Sequence, residues 1–164
     1  MEKTEAIKQQ AEELLKVLDL NYASVGVREA EEKAFRVEIE GENLGILIGF
    51  HGENLASFQI VLGLLLAKKL GEWVRVVVDV GGYRTEREEH LRELATRTAE
   101  RARFLDSPIT LSPMPAHERR MVHMAVAEIP GVASESVGEG WERRVVIKPD
   151  HEENPKENTS STEL

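Results

Sequence analysis

The stretch LIGFHGENLASFQ, residues 47 to 59, constrains this chain more than any other. Gly49 and Gly52 stand three apart where an apolar segment gives way to the run 53 to 70. In that run Leu55, Phe58, Leu62, Leu65 and Leu66 make a stripe at helical spacing. A backbone that bends so tightly into a helix gathers N–H groups at one point, beside the helix's positive end. Glycine also removes the Cβ atoms that would hold a ligand away. The arrangement suits a phosphate oxygen. It is too short for a triphosphate P-loop, which has four residues between its glycines and then Lys-Ser/Thr, and it lacks the G-x-G-x-x-G dinucleotide pattern. By itself G-x-x-G is also an ordinary helix-capping turn, so its setting has to decide.

Upstream, Ile7, Ala11, Leu14, Leu15 and Leu18 predict a helix over 4–18. Two strands follow, one through Ala23, Val25 and Val27, the other through Phe35, Val37 and Ile39, with REAEEK as the turn between them. Downstream, Trp73 to Val80 reads as a strand with Val74, Val76, Val78 and Val80 on one face. Gly81-Gly82 then breaks the chain. The first half is helix, strand, strand, glycine loop, helix, strand.

The second half opens with a helix over Tyr83 to Phe104. Its first two turns are polar all round and are expected to protrude or to bridge the halves. Its stripe begins at Leu91 and continues through Leu94, Ala95, Thr98, Ala99 and Ala102. SPITLSPMP predicts a short strand and a proline-rich turn. A helix from Ala116 to Ile129 is expected to bury Met121, Val122, Ala125 and Ile129. VASESVGEGWERRVVIKP reads as a hairpin bent at Gly138 and Gly140. The fold class is therefore α+β, in two small halves of a 164-residue chain.

Charge limits the partners. At a net −9 the chain has no general basic coat, so any nucleic-acid site must be local. Residues 81 to 120 hold eight Arg against seven acids, while 150 to 164 hold five acids and one Lys with almost nothing apolar. That terminal segment is expected to be a disordered acidic tail. With no cysteine there are no disulfides or thiol ligands, which points to a cytoplasmic protein. No segment is expected to reach the ~20 apolar residues of a membrane span. The best, Ile60 to Ala67, runs into Lys68 and Lys69, and MEKTEAIKQQ has no signal-peptide core, so no membrane insertion is expected.

A second constellation lies in ERRMVH. Arg119 and His123 are four apart, about 40° around a helix, on the flank of its buried face, and Arg120 points further out. A guanidinium and an imidazole on one rim can grip a phosphate and stack on a base. The same residues also fit a solvated basic helix face. Arg143 and Arg144, adjacent on the last strand, face opposite ways, and one of them is expected to border the Arg119 patch. Both also fit an edge strand guarded by charges. An enzyme is not expected. His117 and His123 are six apart, about 240° around a helix, and cannot share a metal from it. No nucleophile–base grouping is recognisable, so no catalytic residue, metal or cofactor is assigned.

The segment ILIGFHGENLASFQIVLGLLL, set between two strands and a valine-rich strand, resembles a type II KH domain, a single-stranded RNA or DNA binder. The resemblance implies that the loop joins two helices and clamps a nucleotide backbone through Gly49, Phe50, His51 and Gly52. That family's loop ordinarily carries a Lys or Arg between the glycines; here Phe and His stand there. LSPMPAHERRMVHMAV followed by SVGEGWERRVVIKP resembles an R-three-H domain, implying single-stranded nucleic-acid contacts at Arg119 and His123. The tandem resembles the bacterial Jag family of SpoIIIJ-associated RNA-binding proteins over residues 1 to 149. The expected organisation is a KH domain, 1–80, an R-three-H domain, 83–149, and the tail, 150–164. The implied function is binding of single-stranded RNA in post-transcriptional regulation. The alternative is a protein-interaction scaffold whose helix 53–70 pairs with another KH domain or with its own copy.

Overall fold

The structure, a computed structural model, describes residues 2–151. Most of the acidic tail lies outside the described residues. The chain divides into two compact units, one ending at Arg87 and the other beginning at Glu88.

The first unit contains α1 (Glu2–Val17), β1 (Ser24–Glu29), β2 (Phe35–Glu40), α2 (Gly45–Ile48), α3 (Glu53–Leu70) and β3 (Val76–Val80). Its sheet has the order β1-β2-β3. β1 and β2 form the expected antiparallel pair, with Val27 opposite Val37, and β3 runs parallel to β2, with Val37 opposite Val78. A parallel pair needs a crossover, and α2 and α3 provide it. Ile7, Ala11 and Leu15 of α1 pack with Leu55, Phe58, Leu62 and Leu66 of α3 against Val37, Ile39 and Val78. Each strand thus points alternate residues into one core.

Two elements differ from what periodicity alone predicts, although the KH resemblance implies a helix on each side of the loop. α2 was not legible by periodicity, because a single turn shows less than one repeat of a 3.6-residue pattern. β3 begins at Val76 rather than Trp73, since its partner strand begins at Phe35, opposite Val76. Val74 is still buried, while Trp73 is exposed. With the preceding turn, α3 (Phe50–Leu70) is also long and apolar enough by composition to cross a membrane, contrary to expectation. In the fold it is a core helix, with one face against the sheet.

The second unit takes α4 (Tyr83–Leu105) from Glu88 onward, then β4 (Ile109–Thr110), α5 (Ala116–Ala127), β5 (Val132–Val137) and β6 (Arg144–Pro149). The sheet order is β4-β6-β5, antiparallel throughout. Leu91, Ala95, Ala99 and Ala102 of α4 share a core with Val122, Val126, Val145 and Ile147. α5 is rotated from the expected stripe. Glu118, Val122 and Val126 are buried, with Met121, Ala125 and Ile129 half-buried beside them. The sequence offers two overlapping stripes, and packing selects the one that carries Glu118 inward. There its carboxylate lies in the first helical turn, where N–H groups lack intrahelical partners.

Candidate nucleic-acid interface

The glycine loop joins α2 to α3 and is held in a conformation that few residues tolerate. Gly49 (φ 70°), His51 (φ 52°) and Gly52 (φ 80°) all have positive φ, leaving Phe50 as the one ordinary residue of the four. A Cβ on Gly49 would lie 2.5 Å from Asn54 Cγ. Asn54 has a reason to be there: its Nδ2 donates to Ile46 O at 2.7 Å, lacing α2 to α3 beneath the loop. Phe50 is 68% exposed, and its ring is tilted against His51 with centroids 4.0 Å apart.

The start of α4 packs beside this loop instead of protruding. Tyr83 Cε1 lies 3.1 Å from where a Cβ on Gly52 would stand. Arg84 Nε donates to Val78 O at 2.8 Å, and Gln59 Oε1 accepts from Val78 N at 3.0 Å. These two side chains occupy backbone groups of β3, an edge strand. Buried Asp79 accepts from Val80 N and Arg84 N through Oδ1 and from Arg36 Nη2 through Oδ2. One turn on from Tyr83, Arg87 Nη2 stands 2.9 Å from His51 Nδ1. A guanidinium only donates, so in this contact Nδ1 accepts and the imidazole carries its proton on Nε2. The polar pattern of RTEREEH conceals this packing because the contacts are hydrogen bonds, which leave no apolar stripe.

In the second unit, α5 and β5 bring the Arg-x-x-x-His pair onto two serines. Arg119 Nη1 donates to Ser136 Oγ at 2.8 Å, its Nε donates to Met114 O at 3.2 Å, and His123 Nδ1 lies 2.7 Å from Ser134 Oγ. The match is one of pitch. Four helical residues rise about 6 Å, and two strand residues advance about 6.8 Å. Residues i and i+4 on α5 therefore face j and j−2 on β5. Arg143 joins them, its Nε donating to Ser136 Oγ at 3.2 Å and its Nη1 to Gly138 O at 2.9 Å. Arg144 turns to Glu142 O instead, and Arg120 is exposed on the outer side of α5. Arg143 is thus the arginine bordering Arg119.

Among the described residues neither Arg119 nor Arg143 has an ion-pair partner. His123 has its pKa lowered from the ordinary 6.5, first by desolvation and then by the charge of Arg119. Ser134 and Ser136 escaped sequence reasoning, although a signal existed. They fall two and four residues past buried Val132, on its face of the strand, which puts hydroxyls on the sheet face that α5 covers. No group of three His, Asp or Glu that could hold a metal occurs among the described residues.

Residues 8–80 match the family model for the KhpA/KhpB KH domain, and residues 89–149 match the R-three-H domain model. The chain is 35% identical over 116 residues to the RNA-binding protein KhpB of Clostridium symbiosum, covering 71% of this chain and 52% of that protein. It is 33% identical over 127 residues to the RNA-binding protein KhpB of Bacillus subtilis (strain 168), covering 76% and 61% respectively. The chain spans about half to three-fifths of the length of these relatives.

Proposed function

The chain belongs to the family in which a KhpA/KhpB-type KH domain is followed by an R-three-H domain, and we propose that it binds single-stranded RNA as a post-transcriptional regulator. The observation that carries this reading is the sharing of Ser136 by Arg119 and Arg143. Two permanent cations converge on a neutral hydroxyl in a protein of net charge −9. Their mutual repulsion is relieved by an anion between them, and a phosphodiester supplies one. His123, its pKa lowered by burial and by Arg119, presents a flat ring beside that anion for stacking or for a further hydrogen bond.

In the first unit the GFHG turn is the second phosphate seat. Its positive-φ residues and the first turn of α3 turn N–H groups toward an approaching backbone. Exposed Phe50 offers a base its face. The test uses the full chain and an unstructured RNA oligomer. Arg119→Ala with Arg143→Ala should weaken binding and lower the slope of log K against log salt by about 0.7, the share of the one phosphate they flank. Parent protein that fails to bind RNA at low salt would overturn the reading. DNA of the same sequence, lacking the 2′-hydroxyl, separates RNA from single-stranded DNA recognition.

A second reading has its own observation. Ile60 (61% exposed), Leu64 (58%) and Trp73 (68%) are exposed, with Trp73 lying over Gly63 of the same helix. This apolar face suits another KH domain, or a second copy of the chain, as partner.

A further inference from the structure

We propose that Arg87 is the cation of the GFHG phosphate seat, supplied from outside the KH domain by the first turns of α4. The inference rests on the reading of that loop as a backbone clamp and names the side chain that completes it.

The loop contains no permanent charge of its own, since only Phe50 and His51 lie between its glycines. Backbone amides orient a phosphate oxygen, but neutralising a phosphodiester takes a cation close by. Arg87 brings one to within 2.9 Å of the His51 ring. Its placement is built into the fold. Asp79 Oδ1 accepts from Arg84 N, and Arg84 Nε donates to Val78 O, which ties the first turn of α4 to β3. Tyr83 packs on Gly52 from the same turn. Arg87 is four residues past Tyr83 and so on the same side of α4, over the loop. Phe50, His51 and Arg87 therefore offer one nucleotide a stacking face, a hydrogen-bonding ring and a fork of N–H donors. The matched KH segment ends at residue 80, so the residue that charges the loop lies beyond it.

The test measures RNA affinity of the full chain as a function of salt for the parent and for Arg87→Gln, Arg87→Lys, His51→Asn and the Arg87→Gln/His51→Asn pair. Asn is chosen at position 51 because it tolerates positive φ. Arg87→Gln should lower the salt slope by about 0.7, one single-strand phosphate contact. Arg87→Lys should keep the parent slope. His51→Asn should lower affinity and leave the slope unchanged, and the pair should match Arg87→Gln in slope. A parent slope in Arg87→Gln overturns the proposal. So does a slope change that vanishes in the His51→Asn background, which would make Arg87 only a support for the ring. Phe50→Asp, at an exposed position, reports on the loop itself. If it binds RNA with parent affinity and slope, the loop holds no phosphate and both readings fail. If it weakens binding while Arg87→Gln does not, the clamp stands and Arg87 is not its cation.

Discussion

Arg119 on α5 and Arg143, the residue before β6, donate to one acceptor, Ser136 Oγ on β5. A serine hydroxyl has two lone pairs, so it satisfies both guanidiniums and leaves its own proton to donate. The hydroxyl fixes the two cations without neutralising them, which a carboxylate at the same position would not do. This distinction gives the first prediction. Ser136→Ala should cost about 1 kcal/mol of stability, the usual net worth of such a bond, and weaken RNA binding severalfold. Ser136→Asp should bind RNA at least tenfold more weakly while being no less stable than Ser136→Ala, because the new carboxylate pairs with both arginines. Denaturant unfolding beside RNA titration checks both. An Asp variant that binds like the parent would show that no phosphate enters between the two arginines.

His123 gives a prediction with a definite sign. Its folded-state pKa is depressed, by burial first and by Arg119 second, relative to about 6.5 in the unfolded chain. Below 6.5 the unfolded state therefore binds the proton that the folded state refuses. The contribution to stability is fully present above 6.5 and declines as pH falls from there toward the lower folded pKa. The second unit of the parent should thus lose melting temperature between ~pH 7.5 and ~pH 5.5, and His123→Gln should lose less. Bound phosphate favours the imidazolium, so any gain in RNA affinity from His123 should grow as pH falls. Equal losses in parent and variant would remove His123 from the pH response.

Gly49 should be the least replaceable residue of the loop. Its φ of 70° is unfavourable for an L side chain, and a Cβ would stand 2.5 Å from Asn54 Cγ. Gly49→Ala should destabilise the first unit by about 1–3 kcal/mol and loosen the Asn54–Ile46 bond. Gly71 also has positive φ, with no atom within 4 Å of its would-be Cβ. Gly71→Ala carries the backbone strain alone and should cost less. Urea unfolding of the two variants measures the difference.

Much of this fold was legible because its periodicities are clean. Alternating valines in β3 and the stripe in α3 marked one buried face each, and the structure buries Val74, Val76, Val78 and Val80 along with Leu55, Phe58, Leu62 and Leu66. What stayed hidden depends on partners distant in sequence. Nothing in GYRTEREEH shows that Arg87 reaches His51, 36 positions earlier, because hydrogen-bonded packing has no period. Arg143 and Arg144 were indistinguishable until the registry of β5 on β6 put Ser136 opposite Val145 and hence on the α5 side. The stripe of α5 was ambiguous for a similar reason, since Met121 and Val126 are equally apolar and only the sheet chooses between them.

The exposed face of α3 provides the last prediction, which sets the two functional readings against each other. Ile60 and Leu64 are four apart on the helix, and Trp73 lies over Gly63 beside them, so the three make one apolar surface with its own shape. Such a surface is costly to leave in water, at about 25 cal/mol per Å² of apolar area, and pairing with a like surface removes that cost. Leu64→Glu should abolish self-association, or association with another KH domain, in sedimentation or light scattering. The core is untouched, because Leu64 points away from Leu62 and Leu66, so stability of the monomer should change by less than about 0.5 kcal/mol. RNA affinity then discriminates. If the Glu variant is monomeric and binds RNA like the parent, the surface and the RNA sites act independently. If association and RNA binding are lost together, the binding unit is the assembled pair. A parent that is already monomeric, finds no KH partner and behaves like the variant would dismiss the scaffold reading and leave Arg119, Arg143 and the GFHG loop to carry the function.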